Sequence, residues 1–144
     1  MKGVKAFLDT NIIIYAYDTS AGDKHQKARD LLAGLWESGL GMVSTQVLQE
    51  FYVTVTRKIP KPLHLATARD IIADFLTWDV VVNDGDAILK AIDVQEKHGF
   101  SFWDSMVIAA AISGGASVLL TEDLSDGQKI GGVEIRNPFA GEEI

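Results

Sequence analysis

No cysteine occurs anywhere in the chain, which removes disulfides, zinc–thiolate sites and thiol nucleophiles at once. Long apolar runs are missing as well. The longest, Met106 to Ile112, falls far short of the roughly 20 residues that a membrane helix needs. Lys2 and Lys5 make the amino terminus basic, but Asp9 interrupts the apolar stretch before a signal-peptide core can form. Positive charge is scarce: 13 Lys and Arg stand against 20 Asp and Glu, a formal net charge of -7. Such a chain does not coat nucleic acid through its overall field. Two local basic groups, Arg57-Lys58-Lys61 and Lys24-His25-Lys27-Arg29, read first as solvated helix faces. His25, His64 and His98 fall on separate helical segments without zinc-ligand spacing, and neither a Gly-x-Ser-x-Gly nor a phosphate-loop pattern is present. The expectation is a soluble cytoplasmic protein with no membrane partner.

What is present suits one globular domain over residues 1–144, with 47% apolar and 23% charged residues. Short apolar runs alternate with longer helical patterns, which predicts an α/β fold with a central, mainly parallel sheet. Strands are predicted at Val4–Leu8, Met42–Ser44, Val80–Val82, Ser117–Leu120 and Val133–Arg136. Helices are predicted at Asn11–Tyr17, Asp23–Ser38, Thr45 to about Lys58, Leu63–Leu76, Asp84–His98 and Phe102–Ser113. The last is apolar on nearly every side and is therefore central.

Four acids stand where strands end or helices begin: Asp9, Glu50, Asp104 and Asp123. In open α/β sheets ligands bind at the carboxyl ends of strands, and three of the four fall there. Glu50 lies on the flank of its helix's apolar stripe, in line with Val47 and Thr54, where it can lean over the sheet edge. Carboxylates gathered in one place repel one another unless a hard cation such as Mg²⁺ or Mn²⁺ lies between them. Each acid also has a duller explanation. Asp9 to Asn11 and Ser101 to Asp104 are helix-capping patterns, Asp123 with Asp126-Gly127 is turn chemistry, and Glu50 is a surface position. It is the set, converging on one edge of one sheet, that points to a site.

Phe7-Leu8-Asp9-Thr10-Asn11, Glu50 in the helix after the second strand, Phe102-Trp103-Asp104-Ser105 opening an alanine-rich helix, and Leu119-Leu120-Thr121-Glu122-Asp123 together resemble the PIN-domain nucleases. In pattern they are similar to the VapC-type ribonuclease toxins of VapBC toxin-antitoxin pairs. The resemblance spans roughly Val4 to Phe139 and implies a three-layer α/β/α domain. It also implies an acidic Mg²⁺ site at Asp9, Glu50, Asp104 and Asp123, supported by Asn11 and Thr121, that hydrolyses RNA. An antitoxin partner and a homodimer are implied with it. One departure stands out. Many toxins of the family continue Thr-x-Asp with an Asp-Phe pair, whereas Leu124-Ser125-Asp126-Gly127 follows here, so Asp126 is a candidate to share the fourth acidic position. Two other readings remain open at this point. One is a catalytically silent PIN-like binding module. The other is an aspartyl-phosphate hydrolase with Asp9 as nucleophile, although Asn11 occupies the second position of the Asp-x-Asp pattern typical of that chemistry.

Overall fold

Ala6, Phe7 and Leu8 are all buried, as a central strand covered on both faces must be. This strand, β1 (Ala6–Leu8), pairs in parallel with β2 (Gly41–Ser44) on one side and β4 (Val118–Leu120) on the other, so that Phe7 stands between Met42 and Leu119. In the computed structural model, which describes residues 3–140, six strands form one sheet in the order β3-β2-β1-β4-β6-β5. Lys2 lies outside the described residues. Strand β3 (Asp79–Val81) is parallel to β2 and β6 (Val133–Arg136) to β4, and only β5 (Lys129–Ile130) runs antiparallel, against β6.

Among the described residues six α-helices flank the sheet: α1 (Thr10–Tyr17), α2 (Asp23–Ser38), α3 (Thr45–Arg57), α4 (Leu65–Phe75), α5 (Gly85–His98) and α6 (Phe102–Ser113). Helix α1 packs on α2 and α3, and α3 on α4; α5 pairs with α6, which lies across β2, β3 and β4. This is the mixed α/β architecture with a largely parallel sheet that the alternating pattern predicts. Among the described residues no helix is long and apolar enough to cross a membrane.

Some boundaries move for visible reasons. Strand β3 begins at Asp79 and stops at Val81, one residue earlier than predicted at each end. Its partner β2 ends at Ser44, which turns aside to cap α3, so Val82 has no ladder to join. Helix α4 begins at Leu65 because the backbone is still extended at its N-cap, His64 (φ -64°, ψ 149°), and the preceding Leu63 N–H bonds back to the Val55 carbonyl at 2.8 Å. A short 3₁₀ turn, Thr19–Ala21, and strand β5 are absent from the predicted elements. Gly131 and Gly132 both adopt positive φ, 57° and 84°, and join Ile130 to its partner Val133. That is the two-residue hairpin turn glycine pairs favour.

Strand order reverses at β1. The chain builds outward through β2 and β3, then returns to the other side of β1 for β4. The carboxyl ends of β1 and β4 therefore frame a switch point, where α/β sheets place ligands.

Candidate acidic site

Asp9 follows β1 directly and Thr121 follows β4, so adjacent strands deliver both to the switch point. Asp9 is buried, and each of its carboxylate oxygens accepts a hydrogen bond. Oδ1 accepts from the Thr10 N–H at 2.7 Å, capping α1, and Oδ2 accepts from the Thr121 hydroxyl at 2.8 Å. The capping explanation and the site are thus compatible, because one residue serves both.

Thr121 is almost fully buried and stands behind the cleft; besides donating to Asp9, its Oγ1 accepts the Asp123 N–H at 3.1 Å. Asp123 Oδ2 accepts from Asn11 Nδ2 at 3.1 Å, tying the β4 loop to the first turn of α1. Glu50 leans from α3 toward the same turn. Its Oε1 accepts from the Thr10 hydroxyl at 2.7 Å and its Oε2 from Gln46 Nε2 at 3.3 Å. Asp104 enters from the first turn of α6, where Ser101 Oγ accepts its backbone N–H at 3.1 Å. Ser101 thus caps this helix end, and the Asp104 side chain is free of that task.

Asp9, Glu50, Asp104 and Asp123 line one cleft of about 120 Å³ together with Thr10, Asn11, Gln46, Trp103 and Val107. No Lys or Arg is among them. Asp126 lies elsewhere. Its Oδ1 accepts the Asn137 N–H at 2.8 Å and it does not line the cleft.

Burial and crowding show in the titration of Asp9 and Asp123. Burial is the main reason the Asp9 carboxyl is pushed up from 3.8 to about 6, and the charges of Asp123 and Asp104 add to the rise against the opposing bonds from Thr121 and Thr10. The Asp123 carboxyl is also raised, first by burial and then by the charges of Glu122 and Asp104. These are carboxylates short of positive charge.

Two residues escape a reading confined to Asp9, Glu50, Asp104 and Asp123: Gln46 at the cleft and Glu122 beside Asp123 in the chain. Gln46 stands one helical turn before Glu50, on the same face of α3. Asn83, just after β3, fixes it by accepting its backbone N–H at 2.9 Å and the Thr45 hydroxyl at 3.0 Å. Gln46 Oε1 is buried at the cleft with no hydrogen-bond partner. Glu122, next to Asp123, is held by the Tyr15 hydroxyl and by Lys24 Nζ at 2.7 Å. The spacing of Gln46 to Glu50 was a signal available in the sequence; the Tyr15–Lys24–Glu122 contact, spanning about a hundred positions, gave none.

The donor set is all hard oxygen: four carboxylates and an unpartnered amide carbonyl. That chemistry fits Mg²⁺ or Mn²⁺. Among the described residues no three carboxylate or imidazole groups already stand at metal-ligating spacing, so the fit lies in the kind of donor and in its unmet charge.

A carboxylate-lined cleft at the switch point of a largely parallel sheet defines an α/β protein with a candidate acidic site. A family model described as the PIN domain matches residues 6–125. The chain belongs to the PIN-domain family. A sequence search against curated proteins finds no match. Among solved structures, the fold is similar to a chain of a toxin-antitoxin complex from Klebsiella pneumoniae, with a TM-score of 0.68 and 18% identity over 94% of this chain and 98% of that one. It is similar to VapC20 of Mycobacterium tuberculosis, a Sarcin-Ricin loop cleaving toxin, with a TM-score of 0.59 and 20% identity over 80% and 87% of the two chains. DNA-bound VapBC from Salmonella typhimurium gives a TM-score of 0.66 and 18% identity over 94% and 98%. At these identities the likeness is one of fold.

Proposed function

We propose that the protein is a Mg²⁺-dependent endoribonuclease that hydrolyses RNA phosphodiester bonds, and that it is the toxin of a type II toxin-antitoxin pair. The observation that carries the chemistry is the convergence of Asp9, Glu50, Asp104 and Asp123, from four separate segments, on one cleft without a cationic side chain. Membership of the PIN-domain family and the toxin-antitoxin neighbours support the substrate class and the biological setting. An antitoxin is the expected protein partner, a homodimer the expected assembly, and the cytoplasm, where the RNA is, the expected compartment.

Asp9, Asp104 and Asp123 would hold the cation, with Glu50 completing the set. A divalent ion bound there supplies charge for the scissile phosphate and a more acidic water for in-line attack. The chain's own groups do the positioning. Thr121 and the Thr10 N–H hold Asp9 in one rotamer, Asn11 holds Asp123, and Thr10 with Gln46 holds Glu50. Such support keeps metal ligands oriented, and its loss typically lowers affinity or activity about 10–100-fold.

Incubation of the purified protein with RNA in Mg²⁺, in EDTA, and with the Asp104→Asn variant tests this reading. Cleavage is expected only for the wild type with Mg²⁺, and the variant should be slower by about a hundred-fold or more while keeping its fold. Cleavage at the wild-type rate by Asp104→Asn, in a preparation free of contaminating ribonuclease, would end the proposal. A wild type inert toward RNA would favour the silent binding module.

A further inference from the structure

Trp103 stands at the cleft with 62% of its surface exposed. The other two tryptophans belong to an aromatic cluster under α2 and α4: Trp78 packs 4.9 Å from both Phe75 and Trp36, measured between ring centroids. Trp103 has one aromatic neighbour, Phe102, met nearly edge-on at 5.1 Å and 75°. Its chain neighbour Asp104 lines the same cleft. Both sit in the first turn of α6, a rigid element capped by Ser101. The indole leaves most of its surface to solvent beside an acidic cluster, and tryptophan, apolar in body with one polar N–H, is enriched where proteins meet their ligands and partners.

The charge around it narrows what it can recognise. With a net charge of -7 and no Lys or Arg among the described residues that line the cleft, the protein has little with which to neutralise an RNA backbone there. A neutral base lying on an indole face is not penalised by that field, and base–aromatic stacking is strong enough to matter. Stacking needs the base splayed out of a duplex, so the preference falls on unpaired RNA. The cleft adjoins, at Glu50, a groove of about 280 Å³ lined by Gln49, Val53, Thr54 and Lys58. Lys58 there offers a single ammonium for a phosphate further along the strand.

We infer that Trp103 is a stacking platform for one unpaired base flanking the scissile phosphate, so that the substrate strand is held mainly by stacking and little by backbone charge. The inference rests on the ribonuclease reading above, and the experiment separates the two. Binding of a short mixed-sequence oligoribonucleotide, and of the same sequence as a blunt duplex, is measured by fluorescence anisotropy in Mg²⁺. All proteins carry Asp104→Asn to silence cleavage, with Trp103 intact or replaced by Phe, Leu or Ala.

Trp103→Ala and Trp103→Leu should weaken single-strand binding about ten-fold or more, while Trp103→Phe stays within about three-fold. None of them should change duplex binding. Intrinsic tryptophan fluorescence should be quenched on adding the single strand, and the quench should vanish in Trp103→Phe. The salt dependence should be shallow, a log–log slope of about one or less, since each phosphate contact on a single strand contributes about 0.7. The thermal midpoint of each variant reports folding, and little change is expected for so exposed a ring. Equal single-strand affinity of the Ala and wild-type rings, or equal losses on single strand and duplex, would overturn the inference. Loss of a protein partner in Trp103→Ala with RNA affinity intact would also overturn it, and would assign the ring to that partner. If the protein with Asp104 intact cleaves the oligonucleotide in Mg²⁺, the nuclease reading survives any of these failures; if it neither binds nor cleaves RNA, both fall.

Discussion

Glu122 and Asp123 are adjacent on one loop, yet the fold treats their charges in opposite ways. Burial pushes the Glu122 carboxyl up, but hydrogen bonds from Lys24 and Tyr15 and the Lys24 charge bring it below the ordinary Glu range. Lys24 in turn lies over the rings of Tyr15 and Phe139, at 5.1 and 5.6 Å from their centroids, which adds cation–π attraction to the ion pair. One residue on, burial and the charges of Glu122 and Asp104 raise Asp123, and Asn11 and Lys24 only partly offset them. The protein has the means to neutralise a carboxylate here and applies them one residue away from the cleft. The acidic cluster is therefore a place where charge balance is left to something from solution. In the function proposed above, that something is a divalent cation.

The sharpest way to break this contrast is to remove a charge from the unbalanced side. Asp9 is raised from 3.8 to about 6, chiefly by burial. A carboxyl whose folded pKa is raised contributes stability that is full below the unfolded value and is lost as pH rises through about 6. Two pK units at about 1.4 kcal/mol each make ionised Asp9 a liability of about 3 kcal/mol in the metal-free protein, as an upper bound. Asp9→Asn should accordingly stabilise the protein in EDTA above about pH 7, and the gain should fade on acidification toward pH 4. Urea melts across that range read it out directly. A variant less stable than the wild type at every pH would mean that the two hydrogen bonds outweigh the desolvated charge.

Cation binding sharpens the comparison from the other side. A ligand that binds only the folded state stabilises it by about 2.7 kcal/mol at a hundred times its Kd. Mg²⁺ should therefore raise the thermal midpoint of the wild type clearly, and that of Asp104→Asn by less. Equal shifts in the two proteins would place the effect outside the cleft.

Much of this was legible in the sequence because the carriers are local. Asp9, Asp104 and Asp123 each sit at an element end that period and capping already mark, and Glu50 sits on the edge of a clear apolar stripe. The parallel sheet follows from alternating strands and helices. Strand β5 was lost because Gly131-Gly132 reads as a stop signal, although Ile130 and Val133 on either side make it a hairpin. Gln46, Asn83 and the Lys24 pairing were not legible, since their roles depend on contacts between segments far apart in the chain. Local spacing reveals which residues line a site, while what balances their charge is a tertiary matter.

The smallest expected effect lies on the balanced side. Replacing Glu122 by Gln removes an ion pair in which the lysine side chain is 43% exposed and the glutamate 16%. Screening by solvent keeps such a pair to less than about 1 kcal/mol near neutral pH. The sign with pH is opposite to that of Asp9: a carboxyl lowered by its partner contributes stability present above the ordinary Glu range and lost as pH falls below that range through the lowered folded value. Glu122→Gln should therefore lower the thermal midpoint by a few degrees at neutral pH, and by progressively less as the pH falls below the ordinary Glu range. Lys24, freed of its partner, would then be available to Asp123, whose raised carboxyl its charge already partly offsets. If Lys24 turned to Asp123, the variant would supply internally the positive charge that the cleft otherwise takes from solution, and its Mg²⁺-induced stabilisation would fall below that of the wild type. An unchanged Mg²⁺ response would show that the loop holds Asp123 in place without help from the neighbouring pair.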